Sequence, residues 1–383
     1  MKILFLAYSY GGSASGKITQ RIVEELNRRG CNVRVIVAEC TNKDDEGNVI
    51  ALKNILDKFP KLSYLRIKLL TAIGFSAYNS NFIWRYRVKR YVSKLLKSWC
   101  PDYIFCRSTP IDPCLVGTEI HLNTGIPVYQ HFSDPLPAPS SPDNAVRARF
   151  VKQSEYIIRY SNVVSFGTKQ MGDYIQTLIK YDFSHKFSVI PDVTISVSHF
   201  PPDILPFSST IKMVYLGTIY GTRNPYPLFH ALDLLEQKGI TCELFIYSKP
   251  PIKRNESKHI RYMGYTNDVE SALKEANILV DIDGDDKIPV FISSKLKDYI
   301  ISYRPILSIT PDASPSQILL KDQKTVVVTI NDEYCIVDSI ERILSNTYTV
   351  EDYNERHCLA KQFSPEVVIA DIIKNIQLSE NEL

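Results

Sequence analysis

Lys2–Ala38 reads KILFLAYSYGGSASGKITQRIVEELNRRGCNVRVIVA, and its three parts decide how the chain is built. Lys2–Tyr8 is a short apolar run that leads into a glycine pair, which predicts a buried strand. Gly11–Gly16 predicts a glycine-rich turn. From about Lys17 to Arg29, Ile18, Ile22, Val23 and Leu26 recur at helical spacing, and Gly30 closes the helix. Asn32–Ala38 is a second strand. Strand, helix and strand in that order form a βαβ unit, which builds a parallel sheet with a right-handed crossover.

The alternation continues outward from there. Asp102–Arg107, Pro127–His131, Asn162–Phe166 and Lys186–Ile190 predict further strands, with helices between. Around His199–Ser209 the text becomes HFPPDILPFSS, whose proline and serine density predicts an interdomain linker. The pattern then restarts, with strands expected at Lys212–Leu216, Cys242–Tyr247, Ile260–Met263, Ile278–Ile282, Ile306–Ile309 and Thr325–Thr329. The expected organisation is α/β, with a Rossmann-like domain over 1–200, a linker over 201–210 and a second Rossmann-like domain over 211–364. Residues 365–383 supply an amphipathic helix (about Pro365–Gln377) able to cross back to the first domain, and a tail. Two such halves facing each other place a ligand cleft between them.

Composition bounds the alternatives. At 383 residues the chain exceeds what one hydrophobic core usually holds, so two domains are expected on length alone. A net charge of +3 gives no reason to expect nucleic acid as partner. None of the eight cysteines sits in a C-x-x-C pair, which argues against a zinc site or a redox dithiol and for a reducing, cytoplasmic compartment. No run approaches the ~18–20 apolar residues of a membrane span.

Gly11–Lys17 (GGSASGK) nearly spells the phosphate loop of nucleotide triphosphatases. The hydroxyl that would bind magnesium is replaced by Ile18, and the acid-ended strand Ile278–Asp281 that could serve as second motif lies in the other domain. Gly12 and its neighbours still let backbone approach an anion at a helix start, or else make a tight turn with no ligand. In Lys212–Leu235, KMVYLGTIYGTRNPYPLFHALDLL, a strand ends at Gly217 and a loop carries Arg223 to a helix that begins near Pro225. A cation at that point suits a diphosphate. In Ile292–Tyr299, ISSKLKDY, Ser293 or Ser294 caps a helix and Lys295 falls in its first turn. A lysine there opposes the helix dipole and is better explained by an anionic ligand. Asp298 follows on roughly the same face, where it suits the two hydroxyls of a ribose or an ordinary ion pair.

At these residues the chain resembles the retaining GT-B glycosyltransferases of family 4, especially the polysaccharide-assembly members. GGSASGK, GIPVYQHFSDP (125–135), YLGTIYGTRNP (215–225) and ISSKLKDYIISYRPIL (292–307) carry the likeness, in that order, over nearly the whole chain. The resemblance implies diphosphate binding by Arg223 and Lys295, ribose binding by Asp298, and Tyr265 of RYMGYTND at the nucleobase. It implies sugar transfer from a nucleotide-diphosphate donor, a UDP-sugar by preference, to a hydroxyl of a glycan or lipid-linked acceptor. Retention at the anomeric carbon and no metal or cofactor are part of the same expectation. The first domain would then serve the acceptor. Asp134, with His131 beside it, is the candidate base there. Three positions depart from the family pattern: Val290 stands where the first of two paired acids would be, Thr218 where an arginine often follows the strand glycine, and the first-domain histidine is out of strict register. A nucleotide-sugar epimerase on the same fold, or a catalytically reduced partner protein, is the alternative reading.

From Lys58 to Pro101 there is no acidic residue, and ten Lys and Arg side chains alternate with aromatics, among them Trp84, Tyr86 and Trp99. Residues 58–100 suit either an anionic membrane surface carrying a lipid-diphosphate-linked acceptor, or a pair of solvated amphipathic helices.

Overall fold

The structure is a computed structural model that describes residues 1–41, 48–53, 81–140, 144–194, 203–219, 221–248, 257–266 and 268–380. Much of the acid-free stretch (58–80), the start of the linker (201–202) and Tyr220 lie outside them. The chain divides into two compact units, Met1–Val193 with Pro365–Leu383, and Thr194–Ser364.

In the first unit the chain runs β1 (Lys2–Leu6), β2 (Ser9–Tyr10), α1 (Ala14–Arg28), β3 (Asn32–Val37), β4 (Glu39–Cys40), β5 (Val49–Ala51) and α2 (Phe82–Leu95). It continues through β6 (Tyr103–Arg107), α3 (Asp112–Thr124), β7 (Val128–Phe132), α4 (Asn144–Arg159), β8 (Val163–Phe166), α5 (Lys169–Leu178) and β9 (Phe187–Val189). Seven strands form one sheet in the order β5-β3-β1-β6-β7-β8-β9, and each pair is parallel. The edge strand β5 and the two-residue β2–β4 pair were not expected from the sequence, because both are too short to show a periodicity.

Helix α1 starts earlier than Lys17. Ser13 caps it, accepting from Gly16 N at 3.0 Å, so the turn shortens to Gly11–Ser13 and Gly16 becomes helical. A Cβ on Gly16 would lie 2.0 Å from the Gly11 carbonyl oxygen, so only glycine lets the turn fold back on the helix.

The described end of the acid-free stretch is more inward-facing than its composition suggests. Trp84 is fully buried and Trp99 nearly so. Arg85 lies 3.4 Å from Asp112, and Lys89 lies 2.7 Å from Glu119. Asp112 is buried in the first turn of α3, where burial raises its pKa; it takes Arg85 and the Asn81 amide (3.1 Å) as partners. Phe82, Tyr86, Arg90, Lys94 and Lys97 are left exposed.

The second unit runs β10 (Thr210–Leu216), α6 (Tyr226–Gln237), β11 (Thr241–Tyr247), β12 (Ile260–Tyr262), α7 (Val269–Lys274), β13 (Ile278–Ile282) and α8 (Ser294–Ile300). After these come β14 (Ile306–Ile309), α9 (Pro315–Leu320), β15 (Val326–Thr329), α10 (Glu333–Ser345) and α11 (Val350–Ala360). The six expected strands are all present and parallel, in the order β12-β11-β10-β13-β14-β15. The order in each sheet reverses beside its first strand, which makes both doubly wound and leaves a switch point between β1 and β6, and between β10 and β13.

Parallel sheets are covered on both faces. On one face of the second sheet, Leu228, Leu232 and Leu235 of α6 pack with Ile336, Ile340 and Ile343 of α10. On the other lie Leu296 and Tyr299 of α8, Leu320 and Tyr353. The chain closes on α12 (Pro365–Glu380), longer than expected from the sequence. Its Val368, Ile369, Ile372 and Ile376 enter the core of the first unit beside Ile18, Ile22 and Leu26 of α1.

One buried cation holds the second unit together. Arg356 of α11 is fully buried and its guanidinium donates to the carbonyls of Ile300 (3.0 Å), Arg304 (2.9 Å) and Ser302 and to the Thr325 hydroxyl (3.0 Å). Burial pulls its pKa down to about 10, and the carbonyls at the end of α8 are what the charge is set against. Arg356→Met should destabilise the fold by roughly 1–3 kcal/mol, the cost of leaving buried carbonyl acceptors without a donor. Urea denaturation checks this; a loss below about 1 kcal/mol, the size of an ordinary hydrogen bond, would contradict it.

Candidate functional site

The loops that follow the strands of a parallel sheet gather at one edge. In the second unit that edge carries most of the residues singled out in the sequence. β10 ends at Gly217, whose φ of +112° is a left-handed conformation, and a Cβ there would come within 3.8 Å of the Lys295 side chain. The following loop holds Arg223, half-buried, which donates to the Thr218 carbonyl at 3.4 Å. That loop meets the one after β13: Asp285 N donates to Thr222 O at 3.2 Å, and a Cβ on Gly284 would be 2.4 Å from the Thr222 hydroxyl.

Ser293 rather than Ser294 caps α8, accepting from Leu296 N at 3.3 Å, while Ser294 is exposed in the first turn. The Ser293 hydroxyl also donates to Asp281 Oδ1 at 2.9 Å. Lys295 is anchored from below. Its Nζ lies 3.4 Å from Asp281 Oδ1, 3.2 Å from the Tyr215 hydroxyl and 4.6 Å from the centre of the Tyr215 ring. Its side chain remains 12% exposed, against 0% for Asp281. Asp298, one turn on, accepts from the Thr194 hydroxyl at 2.7 Å. Val290, at the position of the missing acid, is fully buried. Tyr265 follows β12 at the far edge of the sheet and is 53% exposed, so strand order sets it two strands from Gly217.

Lys295 therefore meets its anion from the protein itself. Asp281 and Asp283 belong to an Asp-rich stretch before ISSKLKDY, and neither they nor Tyr215 are among the site residues expected from the sequence. An acid closing an otherwise apolar strand, ILVDI, was the available signal, since a buried carboxylate requires a partner.

In the first unit, register sets Arg107, His131 and Ser165 side by side on β6, β7 and β8. Arg107 is buried and donates to Ser15 Oγ (2.7 Å) and Asp192 Oδ1 (2.9 Å), tying α1 to the strand ends. His131 is buried too, with Nδ1 2.9 Å from Ser165 Oγ and Nε2 3.8 Å from Asp192. Asp134 is exposed and accepts from the Thr109 hydroxyl at 2.6 Å. Gly12, at φ +64°, sits against Thr41, whose hydroxyl would be 2.6 Å from a Cβ; the protein's own packing accounts for the glycine.

Asp283 gives the second-unit cluster a pH dependence. It is buried and accepts from the Thr310 hydroxyl at 2.9 Å. Burial, and then the neighbouring Asp281 charge, push its pKa up to about 6. From the ordinary carboxylate range up to about 6, the folded chain keeps a proton that the unfolded chain has released. Stability therefore falls as pH rises through that window and is level above it. Asp283→Asn should be more stable than wild type by on the order of 1–3 kcal/mol at pH 8 and about equal to it at pH 4. Melting temperatures at the two pH values test this, and a difference that does not change with pH would refute it.

Comparison with known proteins places the fold. No family model matches the sequence and no curated protein is similar to it in sequence. Solved structures are similar over the whole chain. They include the lipopolysaccharide outer core galactosyltransferase WaaB, at 14% identity and TM-score 0.66 over 98% of this chain and 99% of that one. HepE of Anabaena, solved in complex with UDP-glucose, matches at 11% identity and TM-score 0.62 over 98% and 99%. A putative UDP-N-acetylglucosamine 2-epimerase from Listeria monocytogenes matches at 9% identity and TM-score 0.57 over 100% and 97%. The structural neighbours are chiefly GT-B glycosyltransferases, and two Rossmann-like parallel sheets in one chain are what this protein has in common with them.

Proposed function

We propose that the chain is a glycosyltransferase that moves a sugar from a nucleoside-diphosphate sugar to a hydroxyl of a glycan or lipid-linked acceptor. The observation that carries this reading is the position of Lys295. It lies in the first turn of α8, beside the switch point of a doubly wound sheet, with Arg223 on the neighbouring loop. A helix N-terminus and two cations at the carboxyl edge form a diphosphate site by charge and by backbone N–H groups together.

In this reading Lys295, Arg223 and the amides following Ser293 hold the diphosphate, Gly217 lets backbone approach it, Asp298 takes the ribose and Tyr265 the nucleobase. As the bond from sugar to phosphate breaks, the electron pair stays on the terminal phosphate. Lys295 and Arg223 stabilise that growing charge more in the transition state than in the ground state. No metal is required for this role, and the anomeric configuration is retained. The acceptor proton goes to Asp134, which is solvent-facing, in preference to the buried His131, or to the departing phosphate. UDP is the preferred nucleotide, by analogy with the UDP-glucose complex of HepE.

The epimerase fold match supports one rival, a donor-only enzyme, and the buried Val290 another, a protein that binds without turnover. A UDP-sugar converted with no acceptor present would favour the first, and binding without conversion under any condition the second.

Titration of the purified chain with UDP, GDP, dTDP and CDP should raise the melting temperature for one base preferentially; a ligand at 100 times its Kd adds about 2.7 kcal/mol. Arg223→Ala should weaken that ligand tenfold to a hundredfold, the ~1.5–3 kcal/mol of a hydrogen bond to a charged group. Stabilisation by none of the four at millimolar concentration would sink the reading. For the lipid-linked acceptor, the exposed row Phe82, Tyr86, Arg90, Lys94 and Lys97 of the α2 region is the candidate membrane face. Sedimentation with phosphatidylglycerol vesicles, lost on charge reversal of Arg90 and Lys94, is the expected result; equal binding to neutral vesicles would count against it.

A further inference from the structure

We propose that Asp281 is a built-in counter-ion for Lys295, competing with the donor diphosphate for it and so limiting how tightly the nucleoside diphosphate product is held. This rests on the glycosyltransferase reading above.

The two partners are unequal in freedom. Asp281 belongs to β13 in the middle of the sheet, is 0% exposed, and cannot follow a ligand. Lys295 has a flexible stem and is partly open to solvent. Asp281 Oδ1 accepts from the Ser293 hydroxyl and faces the ammonium, whereas Oδ2 is buried with no hydrogen-bond partner. A buried carboxylate so poorly served leans on the Lys295 ammonium. Without ligand, then, Lys295 is the carboxylate's cation. With a diphosphate bound, the same ammonium must serve two anions.

The cost of that sharing falls most heavily on the product. Breaking the bond to the sugar leaves the terminal phosphate with more negative charge than it has in the donor, so bare cations would hold the product tightest. A fixed carboxylate beneath Lys295 offsets part of that charge. Its removal leaves the lysine oriented, because the Tyr215 hydroxyl at 3.2 Å and the ring at 4.6 Å are unaffected. Asp281 thereby acts through the charge of Lys295 and not through its placement.

Calorimetric titration of the whole chain with UDP, or with whichever nucleoside diphosphate stabilises it, tests this at two salt concentrations. Asp281→Asn should bind about tenfold tighter, the change in an equilibrium for one pKa unit of charge interaction, with a steeper loss of affinity in salt. Lys295→Ala should weaken binding, and Asp281→Asn added to Lys295→Ala should then change nothing. A folded Asp281→Asn that binds the nucleotide equally or more weakly overturns the proposal, since a merely structural role predicts that sign. Should that variant not fold, Asp281→Ser carries the same expectation, as it too removes the charge. Wild-type protein that binds no nucleoside diphosphate would instead overturn the functional reading, and this proposal with it.

Discussion

In a sheet whose strands all run one way, each strand must be followed by a crossover, and the loops leaving the strands' carboxyl ends gather on one edge. Both large sheets are wholly parallel among the described residues, and the residues singled out above sit on those edges. Gly217, Arg223, Asp281, Asp283 and the start of α8 are separated by up to about eighty positions in sequence, yet they follow adjacent strands. Arg107, His131 and Ser165 are neighbours for the same reason, through the register of β6, β7 and β8. The covering helices fix the geometry further. Arg356 ties the last turn of α8 to the carbonyls of the segment leading into β14, so the helix that presents Lys295 at one end is anchored at the other.

The ionic groups in the second unit are used in two ways. Arg356 meets uncharged carbonyls and a hydroxyl, which satisfies its donors without placing a second charge in the core. Lys295 meets a carboxylate, and a second carboxylate, Asp283, lies close enough for its pKa to be raised by the first. Two acids and one ammonium leave an imbalance that burial makes costly; below about pH 6 a proton on Asp283 relieves it, and above that pH the cost stands. An arrangement of this kind costs stability where it stands. Its place beside a helix N-terminus at the switch point is what the proposed diphosphate site draws on.

How much of this could be read in the sequence depended on the range of the interaction. Strands in the second unit were legible because full burial makes each a continuous apolar run, as in ILVDI or KMVYL, with glycine or proline nearby. Ser293 as a cap and Lys295 in the first turn were legible because capping is local. The edge strand Val49–Ala51 was not, being three residues long, and neither was the start of α1, where Ser13 outweighs the glycines on either side of it. Lys295 was read as awaiting an external anion because its partner lies fourteen residues earlier, on a strand that only the sheet brings alongside. Trp84 and Trp99 were open to a membrane reading on composition; burial depends on the helices packed against them, which no local pattern records.

The two units differ in what remains available to a ligand. In the first, Arg107 is committed to Ser15 and Asp192, both ring nitrogens of His131 face protein oxygens, and Gly12 is explained by Thr41. These groups hold the strand ends and α1 in place, while Asp134 faces solvent as an acceptor of hydrogen bonds. In the second, two cations reach the edge while still partly exposed, beside the first turn of α8. Under the proposed function the anion falls to the second unit and the hydroxyl with a proton to lose to the first. That division of labour is the one a transferase needs, since the group that leaves and the group that attacks require opposite electrostatics.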